Sequence, residues 1–370
     1  MFQVVIVGGG LAGLVSATLL SRAGVRVAVL EKNTYPFHRV CGEYISNETL
    51  PFLRSLGLDP FALGAVNISQ FRITSPKGTA LSMPLDLGGF GISRYTLDQA
   101  LANLALEAGA EVRTGVRVLH VARHGDRFQV ELPGKNGLEA PVVIGSFGKR
   151  SNLDKALDRQ SFHQRSPYIG VKHHLRIEHP ESLIELHNFK DGYCGISRVE
   201  DGRTCLCYLT TRDNLRIAGS IEQLEANVLS RNPHLRTIFQ QGEKLYDRPK
   251  VINEIGFSAK PLIESGVFTC GDAAGMIAPL CGNGMAMAIH GAKLLAELLI
   301  RHLQGDLNRA DLERAYRTQW TQLFGMRLRI GRTVQRFFGN PTVTEGFVRT
   351  FRAAPPLARM VVKNTHGQPF

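Results

Sequence analysis

The chain predicts an α/β fold built on a Rossmann-type parallel sheet, with a β-rich second region and a helical C-terminus. Three observations carry that prediction. A buried apolar run, Val4-Val5-Ile6-Val7, leads directly into Gly8-Gly9-Gly10-Leu11-Ala12-Gly13. A second apolar run closes on an acid, Glu31. Late in the chain, Val267-Phe268-Thr269-Cys270 repeats the strand pattern and ends on Gly271-Asp272.

The elements follow in order. Residues 3–7 read as a strand, with Val4–Val7 a continuous β-branched run as expected of a strand covered on both faces. Gly8 allows a tight turn, Gly10 lets the backbone approach a pyrophosphate, and Gly13 lets the next helix sit close to the sheet. That helix, 11–23, is headed by Leu11 and Ala12 and offers free N–H groups and a positive dipole to phosphates. The strand at 26–30 delivers Glu31, whose carboxylate can accept both hydroxyls of an adenosine ribose. A glycine-rich turn alone would explain the glycines but not Glu31, so the arrangement points to dinucleotide binding. An irregular loop follows at 33–45. Residues 96–108 place Leu97, Leu101, Leu104 and Ala105 at helical spacing and stop at Gly109. Strands are expected at 111–122, 127–132 and 141–145. Residues 168–210 alternate as antiparallel strands of a second sheet, 219–230 reads as a helix, and helices dominate after 272. The predicted organisation is a discontinuous nucleotide-binding domain (1–60, 95–160 and 255–305), a β-rich substrate domain (61–94 and 161–254) and a basic helical region (306–370).

The 370 residues are 44% hydrophobic and 21% charged, the composition of a soluble globular protein. The net charge of +12 favours anionic partners: phosphate-bearing cofactors, acidic substrates or anionic lipid surfaces. No Lys/Arg run is interleaved with aromatics, so no nucleic-acid partner is expected. No basic leader precedes the first strand, and no apolar run reaches membrane-spanning length. The expected location is cytoplasmic. None of the six cysteines forms a CxxC pair, which argues against a zinc site and reads most of them as small buried residues. Residues 324–370 hold eight basic side chains, among them Arg327, Arg329, Arg332, Arg349, Arg352, Arg359 and Lys363, against one acid, Glu345. Phe324, Leu328, Val334, Phe337, Phe338, Phe347 and Phe351 are interleaved with them. Such a region either lies peripherally on the inner face of an anionic membrane or caps the substrate domain with its basic side to water.

Gly271-Asp272-Ala273-Ala274-Gly275, followed by Pro279, Gly282, Gly284 and Met285, brings in a family. The chain resembles the FAD-dependent oxidoreductases that group geranylgeranyl reductases with para-hydroxybenzoate-hydroxylase-type monooxygenases. The resemblance covers roughly residues 1–300 and implies a glutathione-reductase-like FAD domain. It implies that Asp272 binds the ribityl chain. It also implies that the Pro279–Met285 loop and the helix N-terminus after it face the pyrimidine end of the isoalloxazine, where a helix dipole would stabilise the anionic reduced flavin. Arg39-Val40-Cys41-Gly42-Glu43 is similar to the Cys-Gly segment that geranylgeranyl-reductase-like members place beside the flavin; a buried structural thiol is the plainer alternative for Cys41. Ile92-Ser93-Arg94 matches a family arginine that reaches the cofactor. Val118 matches the position whose backbone holds adenine, and Lys32 follows the ribose acid.

Departures count equally. Phe147 stands where the hydroxylases carry the aspartate tied to NAD(P)H handling. Trp320 is the only tryptophan, which disfavours the tryptophan halogenases, and Gly192-Tyr193-Cys194-Gly195-Ile196-Ser197 lacks the tryptophan usual over the reductase cavity. No acid/base pair is legible. Cys41 and Tyr193 are the catalytic candidates. His290 reads as packed, and His173 and His174 must face opposite sides of one strand. The expectation is hydride transfer from reduced FAD to a C=C bond of a hydrophobic small molecule. Oxygen transfer to a polyketide or phenolic ring is the alternative, and a non-catalytic flavin-binding module stands behind both. An NAD-dependent dehydrogenase is disfavoured by Gly271-Asp272. The electron donor is left between NAD(P)H and another reductase.

Overall fold

A computed structural model describes residues 1–135, 137–157, 159, 166–337 and 339–370. Its elements run β1 (Val4–Val7), α1 (Leu11–Arg22), β2 (Val27–Leu30), β3 (Tyr44–Ser46), α2 (Leu50–Ser55), β4 (Val66–Thr74), β5 (Ala80–Gly91), α3 (Arg94–Glu107), β6 (Glu111–Arg113), β7 (His120–His124), β8 (Arg127–Glu131), β9 (Gly137–Ala140), β10 (Val142–Gly145) and α4 (Asn152–Ala156). They continue as β11 (Tyr168–Arg176), β12 (Leu183–Phe189), β13 (Gly192–Arg198), β14 (Thr204–Thr211), α5 (Arg212–Ala218), α6 (Ile221–Asn227), α7 (Pro233–Gln241), β15 (Glu243–Lys244), β16 (Lys250–Asn253), β17 (Ile263–Glu264), β18 (Val267–Thr269), α8 (Gly284–Leu303), α9 (Arg309–Phe337), α10 (Pro341–Ala353) and α11 (Pro355–Thr365).

The first sheet has the order β17-β18-β10-β1-β2-β6, parallel from β18 to β6, with β17 antiparallel at the edge. Its central strands β1, β2 and β10 are apolar because both faces are covered, whereas the edge strands β6 and β17 carry charged residues. Val4 and Ile6 pack toward α1, α3 and α8, while Val5 and Val7 pack toward the small β7-β8-β9 sheet. Successive side chains on one strand thus feed two separate cores. The Rossmann-type α/β architecture is the one the sequence predicts.

The second sheet has the order β15-β11-β14-β13-β12-β4-β5-β3, with β16 also on β11. It is antiparallel except where β12 meets β4. Register aligns two rows of side chains on one face. The first is Lys172, Cys207, Gly195, Leu186, Ile73 and Leu81; the second is His174, Cys205, Ser197, Ile184, Phe71 and Met83. Each row is charged or polar at the β11 end and apolar at the β5 end. The opposite face carries Val171, Ile196 and Leu206 and packs on α5, α6 and α7.

Several element boundaries differ from expectation. The predicted strand 111–122 breaks after Arg113, where Gly115 adopts φ +70, and resumes at β7 in a different sheet. The predicted helix 219–230 ends at Asn227, and a single turn, Leu229–Arg231, leads to Asn232, which caps α7. The predicted helix 96–108 starts earlier, at Arg94, because the Ser93 hydroxyl accepts the Thr96 N–H. The 33–45 loop ends in β3, which pairs with β5, so Tyr44–Ser46 joins the second sheet. The expected division at 160/161 lies outside the described residues, as do Phe338 and the side chains of Arg336 and Phe337. Among the described residues no helix is long and apolar enough to cross a membrane.

Candidate functional site

The glycine loop shows why each glycine is needed. Gly8 sits at φ +108 beneath the Ser146 carbonyl, and the Ser146 hydroxyl donates to Gly8 O at 2.6 Å. A side chain at Gly13 would run into the Gly8 carbonyl, so α1 can approach the loop only without one. A Cβ on Gly10, by contrast, would face open space apart from Arg94 Nη2 at 3.7 Å. That space is a cradle at a helix N-terminus, the geometry a pyrophosphate requires. Leu11 and Ala12 are buried in the first turn of α1. Gly271, at φ +64, comes so close to Ala12 that a Cβ there would lie 3.1 Å from the alanine methyl. The early and late motifs therefore touch.

An ion chain runs beside the cradle. Glu31 accepts the Gly9 N–H at 2.9 Å and Arg39 Nη2 at 3.2 Å on Oε2, and the backbone and side-chain amides of Asn33 on Oε1. Arg39 Nε donates to Asp98 at 2.9 Å, and Arg94 grips the same buried carboxylate with Nε at 2.6 Å and Nη2 at 2.8 Å. Two arginines are thereby held along the glycine loop by one acid, a charge-assisted arrangement of high directional strength. The Tyr35 hydroxyl donates to Gly9 O. Lys32 is exposed, and Val118 is buried with its carbonyl accepting Asn152 Nδ2.

Burial raises the Asp272 carboxyl above its ordinary range, opposed by nearby Lys260, Arg94 and Lys149. Lys260 Nζ donates to Asp272 O at 2.9 Å. Downstream, Pro279 opens a short turn, Gly282 lies at φ +66 against the Tyr44 ring, and Gly284 starts α8. The two catalytic candidates flank this segment. Cys41 Sγ lies 3.5 Å from Met285 Sδ, and burial raises its pKa. Tyr193 faces the Leu280 backbone and Cys281 without closing a well-formed hydrogen bond, and burial lifts its pKa well above the ordinary tyrosine value.

Beneath Cys41 lies a cluster that inspection of the sequence missed. Glu43 is fully buried and ion-pairs with Lys172, while His174 Nε2 lies 2.6 Å from its Oε2 and the Arg94 N–H donates to Oε1 at 2.8 Å. Burial pushes this carboxyl up, but Lys172 and His174 outweigh burial and hold it at about 2. Cys205 Sγ donates to Cys41 O. Glu43, His174 and Cys205 bring three potential ligand atoms within 4.8 Å of one another, but Lys172 already supplies positive charge there. His173 points to the other face, 2.7 Å from Glu225. His290 stacks on Phe370 at 3.8 Å, and burial lowers its pKa to about 4.

The apolar halves of both sheet rows floor a cleft of about 740 Å³, counted to its open mouth. Phe347, Phe351, Ala358 and Val362 of α10 and α11 roof it, and Leu280, Cys281, Gly282 and Tyr44 close one end. No charged side chain lines it; Tyr44, Thr365 and His366 bring the polar atoms. The Asn283 side chain donates to Thr365 O at 2.8 Å, which ties the loop to α11. No motif points to His366. His366 follows the last turn of α11, and its ring pairs through Nδ1 with Val362 O at 2.9 Å.

A glycine cradle, a buried acid after β2 and a half-buried Gly-Asp turn on one parallel sheet define a nucleotide-cofactor oxidoreductase. The chain belongs to the FAD binding domain family, which matches residues 1–322. It is an enzyme of the FAD-dependent oxidoreductases. It is similar to digeranylgeranylglycerophospholipid reductase 2 of Methanopyrus kandleri, 26% identical with 91% of this chain and 86% of that protein covered. In fold it is similar to the flavin-dependent brominase Bmp2, with a TM-score of 0.81, 18% identity and 98% and 93% of the two chains covered. It is likewise similar to a geranylgeranyl bacteriochlorophyll reductase-like protein of Thermoplasma acidophilum, with a TM-score of 0.80, 17% identity and 98% and 95% covered.

Proposed function

We propose that the protein is a FAD-dependent reductase that adds a hydride from reduced flavin and a proton from water across a C=C bond of an extended apolar substrate held between the second sheet and α10–α11. The observation that carries this reading is the cleft: it is apolar, uncharged and closed at one end by the Leu280–Gly282 turn. FAD, when bound, supplies the hydride chemistry. Gly8, Gly10 and Gly13 would seat its pyrophosphate beside Arg94, and Glu31 would take the ribose in place of the Asn33 amide. Val118 would meet the adenine, Asp272 the ribityl chain, and the Pro279–Met285 segment the flavin ring. The open cradle at Gly10 fits that cofactor. Burial keeps the Tyr193 hydroxyl protonated near neutral pH, so it can donate a hydrogen bond but not abstract a proton. Its place beside Leu280 makes it the better of the two candidates for orienting a substrate.

The test is mass analysis of products. Anaerobically reduced holoprotein is mixed with polyprenyl lipids and, separately, with phenolic polyketides in the presence of O2. Gain of two hydrogens by a polyprenyl lipid without O2 is the expected result. Gain of one oxygen atom by a phenol would replace this reading with the monooxygenase one.

Phe147 packs in the core against Gly145, where the hydroxylases carry their aspartate. We therefore assign reduction to a partner reductase, and mixing the holoprotein with NADH or NADPH under argon should leave the flavin spectrum oxidised. Bleaching within seconds by either nucleotide would refute this.

A further inference from the structure

The outer face of the C-terminal helices combines exposed apolar side chains with exposed basic ones. α9, α10 and α11 pack on one another, and the inner faces of α10 and α11 roof the cleft. Their outer faces expose large apolar side chains: Met326, Val343, Leu357 and Met360, the last 54% exposed. On α11, Ala358, Val361, Val362 and Thr365 turn inward at helical spacing, which leaves Leu357 and Met360 pointing out beside Arg359 and Lys363. Among the described residues Arg329, Arg352, Arg359 and Lys363 are exposed and have no acidic partner. The one acid of residues 324–370, Glu345, is buried, accepting Thr79 Oγ1 at 2.7 Å and Arg349 at 2.6 Å. The surface is therefore apolar and uniformly basic at once.

We propose that this face docks on a lipid bilayer rich in anionic phospholipid. Two terms reinforce one another there. Unpaired cations are drawn to the negative surface within a Debye length, and the exposed leucine and methionine enter the acyl boundary. A soluble polyanion would satisfy the charges but leave Leu357 and Met360 in water. A neutral bilayer would accept the apolar residues but gain nothing from the cations. The same two helices that would meet the bilayer also form the roof of the apolar cleft, so a lipid-borne substrate would have a short dry route between them. That last step rests on the cleft being the substrate site; the docking surface does not.

The test needs no turnover. Purified holoprotein is sedimented with vesicles of phosphatidylcholine alone and with vesicles rich in phosphatidylglycerol, at low and high salt. Binding is expected only to the anionic vesicles and should weaken with salt. Arg352→Glu/Arg359→Glu/Lys363→Glu should lower the partition coefficient about tenfold or more, and Leu357→Ser/Met360→Ser should lower it severalfold at constant charge. Flavin content and melting temperature should stay as in the wild type, because all five side chains are exposed. A control reversal elsewhere, Arg216→Glu/Arg248→Glu/Lys250→Glu, should retain most binding. The proposal falls if no anionic vesicles are bound, or if neutral vesicles bind equally. It also falls if the control reversal costs as much as the α10–α11 reversal, which would reduce the effect to overall charge. Heparin binding unaffected by the serine pair, without vesicle binding, would reassign the face to a soluble polyanion. A cleft that fails to turn over lipids would leave the docking result intact and overturn only the reductase reading.

Discussion

Gly10 is where one missing side chain matters most. Its Cα faces the only opening in a loop otherwise filled by Ser146, Tyr35 and the first turn of α1. Gly10→Val should purify folded but without flavin, read as the ratio of visible to ultraviolet absorbance; full flavin content would remove the phosphate assignment. Asp272 lies at the other end of the proposed cofactor. Asp272→Ala should retain the fold and lose flavin on gel filtration, whereas unchanged retention would reduce Asp272 to a turn residue. Gly10 stood out by its spacing after the first strand, whereas Asp272 was singled out by the family resemblance, since a Gly-Asp pair at a strand-to-helix turn is by itself an ordinary cap. Lys172 was not legible. A lysine in an alternating strand reads as solvent-facing, and only the tertiary contact that brings Glu43 onto β11 shows that it is buried and paired.

Among elements, the parallel strands were readable because burial on both faces leaves unbroken β-branched runs. The β6–β7 break was not, since a strand that leaves one sheet for another keeps its alternation. The roles of α10 and α11 were half legible. Their amphipathic pattern announced helices with an apolar stripe, but whether the stripe covered a membrane or a cleft depended on a sheet assembled from distant segments. Asn340 accepts the Thr342 and Val343 N–H groups and starts α10 just after α9. Asn340→Ala should cost about 1 kcal/mol, seen as a small fall in melting temperature. Loss of the roof over the cleft should also speed limited proteolysis between α9 and α10. An unchanged digestion rate would show that packing on Thr79 and the sheet holds α10 without its cap.

For the whole molecule, the joint between the two sheets carries an acid-sensitive group. Glu43 belongs to the segment leading out of the first sheet, and Lys172 and His174 belong to the second. Its carboxyl titrates near 4.5 when unconstrained and at about 2 in the fold, because Lys172 and His174 outweigh the cost of burial. A depressed folded pKa means the stabilisation is complete above pH 4.5 and is lost as pH falls toward 2. The expected size is roughly 3 kcal/mol. Urea unfolding at successive pH values should show the wild-type curve steepening in that window and Glu43→Gln flatter through it. Parallel curves would assign the acid sensitivity to other carboxylates. The sequence could place the Cys41–Glu43 segment and the β11 histidines in separate regions but could not bring them together, since their contact spans 131 residues of chain.

The row Gly195, Leu186, Ile73 and Leu81 crosses four neighbouring strands at right angles to their direction. Strand spacing is nearly invariant, so three steps of about 4.8 Å make this row a fixed gauge of about 14 Å. Under the proposed reading, a molecule laid along the cleft floor would be measured across this row to Leu81 on β5. Whatever exceeds that length must fold back or project from the mouth. The sheet would then grade its guests by extent, and moving a large side chain one strand inward, as in Ile73→Trp, should shorten the longest accepted chain by about one such step. Product profiles over a homologous series of substrates would read that change directly.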